Sequence, residues 1–187
     1  MTLTSRRTLE GVVFLALFTA CIPAANWIIQ NVGTTCVPNG PCLIPVAPGL
    51  MAPSAVLVVG LAFVLRDLVQ RRLGLHWAAI AIIVGASLSA LLAPPSLVFA
   101  SGVAFLISEF ADLAVYTPLQ KRRMILAVVA SSIVGLIVDS AVFLQLAFGD
   151  LTYIWGQIVG KAWMVLLAIP FIAWLRARDE RIGMAPA

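Results

Sequence analysis

The chain has 187 residues, of which 62% are hydrophobic and 11% charged, with a mean hydropathy of +1.07 and a formal net charge of +4. A soluble domain carries about 25% charged residues, so so few charges exclude a water-facing surface and require lipid over most of the exterior. The cations stand in short runs between apolar segments, which reads as a membrane-topology signal and gives no basis for a nucleic-acid partner.

Six apolar segments follow one another at 9–30, 50–70, 75–93, 96–116, 124–148 and 152–175. Each is near the roughly 20 residues that cross a bilayer core of about 30 Å. Helices are expected throughout, because hydrocarbon offers backbone groups no other partner. The expected fold is therefore all-α: a single polytopic transmembrane domain spanning 1–187. Arg6 and Arg7 precede the first segment, and the run Pro23-Ala24-Ala25 imitates a cleavage site. Removing that segment would leave five spans and break the parity of the charges, so it is kept as helix 1. Asn26 and Trp27 lie near its outer end, where they line an entrance or meet headgroups. Cys21 reads as a small packing residue, and Glu10 as a solvated one.

The loop at 31–49 contains no Lys or Arg and carries Cys36-Val-Pro-Asn-Gly-Pro-Cys42. A disulfide and two free thiols both remain open there. Helix 2 ends in Arg66, Arg71 and Arg72, and the turn between helices 3 and 4 is a tight Pro94-Pro95 stop. Lys121, Arg122 and Arg123 join helices 4 and 5, while Arg176, Arg178 and Arg181 follow helix 6. All these cations fall on one side of a six-span chain. The expected orientation is N-in and C-in, in a bacterial inner membrane. Trp77, Trp174, Tyr153 and Trp155 read as interfacial anchors or as packing aromatics.

Ionisable residues inside the bilayer cost about 2.5–3.5 kcal/mol each at a helix centre, which makes them functional candidates. Helix 4 carries Glu109 and Asp112 on one face. Helix 5 carries Asp139 and helix 6 carries Gln157 and Lys161. Asp139 and Lys161 each lie about nine residues, roughly 14 Å, below the outer ends of their helices. Glu109, Asp139 and Lys161 can then converge on one cavity between helices 4, 5 and 6. The alternative is that Asp139 and Lys161 form a structural ion pair, with Glu109 and Asp112 left as unpaired acids. Gly156 and Gly160, Gly85 and Ser89, and Ser131, Gly135 and Ser140 have the spacing of close helix packing. The one histidine, His76, lies at the other face, and no metal, cofactor or catalytic constellation is expected. No phosphate-binding glycine loop is present, so the chain has no ATP motor of its own.

Three stretches carry a family resemblance: Leu50-Met-Ala-Pro53 through Arg66-Asp67 to Gly74, Ser108-Glu109-Phe-Ala-Asp112-Leu-Ala-Val-Tyr116, and Gly135-Leu-Ile-Val-Asp139-Ser140 with Gly156-Gln157 and Lys161. From helix 2 onward the chain resembles the queuosine-precursor transporter family, also called the vitamin uptake transporter (VUT) family. It differs from some relatives in having Glu109 where they have glutamine, and Arg66 before the helix 2 aspartate. The resemblance implies a non-enzymatic importer of a small heterocycle, a 7-deazaguanine such as preQ0 or preQ1. Glu109 or Asp112 would accept from the pairing edge, Lys161 or Gln157 would donate to the carbonyl, and Asp139 would hold the lysine. Trp163 or Phe110 would offer a stacking face. The partners expected are that heterocycle and the bilayer, with a homodimer left open. A substrate-binding subunit of an energy-coupling vitamin transporter and a non-transporting scaffold are the alternatives.

Overall fold

The computed structural model describes residues 2–187 except Asn39, Pro94 and Ser96. Six helices form the body: α1 (Leu3–Asn31), α2 (Val56–Leu73), α3 (Leu75–Leu92), α4 (Val98–Leu119), α5 (Met124–Phe148) and α6 (Ile154–Ile182). Between α1 and α2 stand three short strands, β1 (Thr35–Cys36), β2 (Cys42–Ala47) and β3 (Leu50–Pro53). The helices match the six expected segments in number and order. Pro94 of the expected Pro-Pro stop, Asn39 of the cysteine loop and the expected helix 4 start at 96 lie outside the described residues.

The strands are a correction to the all-α expectation and to the expected start of helix 2 at 50. Prolines at 45, 48 and 53 withhold backbone donors and disfavour helix before them. The chain therefore pairs in order β1-β2-β3, antiparallel, with Leu43 opposite Pro53 and Cys36 opposite Cys42. Cys36 and Cys42 are disulfide-bonded, which decides the question the sequence left open, and Cys21 is free and buried. The sheet docks on the bundle through backbone atoms: Ser54 Oγ donates to Ile28 O at 3.0 Å, and Trp163 Nε1 donates to Val46 O at 3.0 Å.

At the other end two helices outrun their expected limits. α1 starts at Leu3, capped by the Thr2 hydroxyl, which accepts from Ser5 N at 3.2 Å. α6 continues to Ile182, its last turns tied by an Arg176–Glu180 pair at 2.7 Å.

Five helices are long and apolar enough to cross a membrane, and α2 is the exception. It carries Arg66, Asp67, Arg71 and Arg72 within 18 residues, yet every residue from Ala62 to Arg72 is buried. α2 packs against all five other helices and is shielded by protein rather than by lipid. The outer helices instead expose apolar side chains, such as Val12, Ile83, Ile137 and Leu167, to the surroundings. This is the pattern of a multi-pass membrane protein: apolar outside, with polar groups gathered within.

Close approach around α2 requires glycine. A Cβ on Gly60 would meet the backbone carbonyl oxygen of Lys161, and one on Gly156 would meet that of Met51. Backbone atoms cannot rotate away. Gly60→Ala should therefore lower stability by roughly 1–3 kcal/mol, the usual cost of overpacking, read as a fall in melting temperature in detergent with the helical signal retained.

Candidate functional site

At the sheet end, where α1, α3 and α5 finish and α2, α4 and α6 begin, all six helices line a cavity. Its sheet-side chamber, of about 100 Å³, is bounded by Asn26 and Ile29 (α1), Val56 and Val59 (α2), Ser89 (α3), Ser101 and Phe105 (α4), Asp139 and Phe143 (α5), and Gln157 and Lys161 (α6). An inner chamber of about 60 Å³ shares Asn26, Val59, Ser89, Phe105 and Asp139, and adds Cys21, Phe63, Ser108 and Glu109. A single water needs about 10–15 Å³ on this measure, so both spaces exceed one solvent molecule.

Lys161 is the most completely coordinated group on the wall. Its Nζ donates to Asp139 Oδ2 at 2.6 Å, to Ser140 Oγ at 2.8 Å and to Gln157 Oε1 at 2.5 Å. Gln157 precedes it by one helical turn, and Asp139 sits at the same depth on the neighbouring helix. The depth expected from sequence therefore holds. Asp139 Oδ1 also accepts from Ser108 Oγ at 3.4 Å, which joins α4 to the pair. Lys161 is 1% exposed and the Asp139 side chain 14%, so the carboxylate is the more accessible partner.

Below the chambers lies a second polar centre. Arg66, wholly buried, meets Asp67 at 2.9 Å, Glu109 at 3.0 Å and Asp112. Its Nη1 also reaches Gln70 Oε1 at 3.4 Å, and its guanidinium lies 5.9 Å from the Tyr116 ring centre. The Ser131 hydroxyl donates to Asp67 Oδ2 at 3.0 Å. Gly135 lets α5 approach, since a Cβ there would sit 3.0 Å from the Asp112 carboxyl. Glu109 belongs to both centres, lining the inner chamber and accepting from Arg66 Nε.

Three expectations are corrected. Glu109 and Asp112 are not unpaired acids, because both bind Arg66. Arg66 is accordingly no terminal topology charge: it stands mid-helix, in ion pairs with three carboxyl groups. Glu10 is not merely solvated. It binds Arg72 at 2.9 Å and Arg178 at 2.6 Å, and Arg72 in turn grips Asp179 with two bonds of 2.8 and 2.9 Å. Arg71 also contacts Asp179, at 3.3 Å, so α1, α2 and α6 are tied together at the end opposite the sheet.

Of the six residues singled out from sequence, Asn26, Glu109, Asp139, Gln157 and Lys161 line the cavity. Asp112 lines neither chamber and belongs to the Arg66 centre. The aromatic expectation fails: Trp163 and Phe110 are exposed on the outside of the bundle. Phe105 and Phe143 face the cavity instead. Helical phase could have selected Phe105, four residues before Glu109, and Phe143, four after Asp139.

Comparison with known families bears on this wall directly. The family model described as "Putative vitamin uptake transporter" matches residues 87–175. Over that stretch, a little under half of the chain, the sequence is similar to that family. The match takes in Glu109, Asp112, Asp139, Gln157 and Lys161, while Asn26 and Arg66 lie outside it. No curated protein and no solved structure matches the chain. The family is one of membrane transporters, and the polar cavity within an apolar bundle suits that role.

Removing one member of a buried ion pair strands the other. Lys161→Met should destabilise the protein by roughly 3 kcal/mol. Combining it with Asp139→Leu should recover most of that loss, as a double-mutant cycle of melting temperatures in detergent would measure.

Proposed function

We propose that the protein imports a small, flat, hydrogen-bonding heterocycle across the bacterial inner membrane, and that this is a 7-deazaguanine such as preQ0 or preQ1. The observation that carries the reading is the lining of the cavity. A carboxylate (Glu109), an ion pair (Asp139–Lys161), two amides (Asn26, Gln157) and two phenyl rings (Phe105, Phe143) line the two adjoining chambers. Such a set suits a planar ligand with donors along one edge and an acceptor beside them.

In the proposed pose the ring lies between Phe105 and Phe143. Glu109 accepts from the adjacent N–H groups of the pairing edge. Lys161 or the Gln157 amide donates to the ring carbonyl, and Asn26 closes the site toward the sheet. Charge-assisted bonds of this kind are strongest in a dry site. A site built around them also rejects analogues that lack the matching groups. Asp112 assists through Arg66, which orients Glu109, rather than by touching the ligand.

The proposed topology is six crossings within residues 1–187, with both termini inside and the sheet outside. Arg66, Arg71 and Arg72 no longer count toward it, being buried in ion pairs. Arg6, Lys121, Arg122, Arg123 and Arg181 remain exposed at the end opposite the sheet. They still favour that end for the cytoplasm. The disulfide between Cys36 and Cys42 then faces a compartment that permits it.

The test is uptake in a bacterium that neither synthesises nor imports queuosine precursors. Expression of the chain with nanomolar preQ0 or preQ1 should restore queuosine in tRNA. Glu109→Ala and Asp139→Ala should each lower the initial rate at least about tenfold, as expected for loss of a charged hydrogen bond. A folded, membrane-inserted chain that restores nothing would exclude both ligands. Co-purification with a shared membrane subunit and ATPases would instead identify a subunit of an energy-coupling transporter.

A further inference from the structure

The Arg66 centre holds one guanidinium and three carboxyl groups. With all three ionised it would carry two uncompensated negative charges in a region where Arg66, Asp67 and Asp112 have no solvent exposure and Glu109 has almost none. Buried carboxylates in that position take up protons rather than stay charged. A second observation points to where a proton sits. Asp67 and Asp112 meet the same guanidinium, Asp67 at Nη1 and Asp112 at Nη2, which sets the two carboxyl groups side by side across α2 and α4. Two carboxylates can only accept, so a bond between them requires one to be protonated. Asp112 Oδ2, wholly buried, has no hydrogen-bond partner among the described residues, while Asp67 Oδ1 is met by Arg66 Nη1 at 2.9 Å.

We infer that Asp67 and Asp112 form a proton-binding site, and that the proton they share is the coupling ion of transport. The second half rests on the transporter reading. A metal ion is disfavoured as the alternative occupant, because no group of three His, Cys, Asp or Glu among the described residues is arranged to hold one.

The surroundings are consistent with a site that loads and empties. From α2 the pair faces Arg66, with Arg71 further along toward Tyr116. From α4 it faces Glu109 and Tyr116. α5 supplies the Ser131 hydroxyl, and Asp139 beyond Glu109, with Lys161 of α6 behind Asp139. α1 carries its charges at Arg6, Arg7 and Glu10, remote in the opposite-end network, and α3 carries only the exposed His76. Glu109 links the pair to the chamber. N–H donors of a ligand would fix Glu109 as a carboxylate and draw Arg66 toward it, leaving Asp67 and Asp112 to be neutralised by a proton. Ligand and proton would thus bind together, the proton entering from water in the cavity and leaving to water on the far side with the ligand. Because coupling is reciprocal, each tightens the binding of the other.

The proton is tested without any ligand by infrared spectroscopy of the full chain in phosphatidylethanolamine–phosphatidylglycerol vesicles. A carboxylic-acid C=O band should be present at neutral pH, disappear on raising the pH, and be reduced in both Asp67→Asn and Asp112→Asn. Ser87→Ala, at an exposed position on α3 whose hydroxyl bonds only Ile83 O, should retain it and serves as the control. A band that is absent, does not titrate, or is unchanged in both Asn variants overturns the site.

Coupling is tested in the same vesicles with preQ1. An inward-directed proton gradient should raise accumulation about tenfold per pH unit, the limit for one coupled proton. Asp67→Asn should keep exchange of preQ1 across the membrane but lose the response to the gradient. Equal accumulation with and without the gradient, or dependence on sodium instead, overturns coupling. If the wild type moves neither preQ0 nor preQ1 while the band titrates, the proton site stands and the substrate reading fails.

Discussion

The structure depends on keeping charge out of hydrocarbon. Arg66 is at its centre: a guanidinium with no exposure, on a helix enclosed by five others, meeting carboxyl groups from its own helix and from α4. A lone arginine at that depth would be costly in lipid. Here each donor direction finds an oxygen, and α2 occupies the axis of the bundle because its polar groups have partners nowhere else. The five apolar helices follow from that choice. They form the wall that separates the charged axis from the membrane.

The polar groups divide into three levels along this axis. Nearest the sheet, Lys161 and Asp139 close against Gln157 and Ser140 beside the cavity. At mid-depth, Arg66 gathers its three acids. At the far end, Glu10, Arg71, Arg72, Arg178 and Asp179 bind α1, α2 and α6 together. Glu109 and Ser108 are consecutive residues on α4 that touch different levels, Glu109 meeting Arg66 and Ser108 meeting Asp139. One turn of α4 thus contacts both polar levels.

Much of this was legible in the sequence, and the failures have physical causes. Hydropathy located all six helices in number and order, five of them long and apolar enough to cross a membrane. Counting 1.5 Å per residue placed Lys161 beside Asp139. Arg66 instead reads from sequence as a cation ending helix 2, because the apolar segment there starts at 50. Leu50–Pro53 pair with β2, so the helix begins at Val56, and Arg66 lies ten residues into it, at mid-depth beside Glu109. The prolines at 45, 48 and 53 were the signal against helix there. Glu10 and Asp179 were illegible for another reason: their partners lie on helices remote in sequence, and only the packing of α1 on α2 and α6 brings them together. Five of the six candidate residues do line the cavity, while Asp112 stands one turn below it.

The two ends of the bundle are fastened in different ways. At the sheet end the ties are a covalent sulfur bridge, strand pairing and side-chain bonds to backbone oxygens, which hardly respond to ionic conditions. At the far end they are ion pairs: Arg72 and Asp179 are buried, while Glu10 and Arg178 at the edge are partly exposed, and dissolved salt weakens those outer contacts most. The molecule thus has a mechanical polarity. High ionic strength should loosen the Glu10–Arg178 contact at one end while the bridged sheet at the other is unaffected.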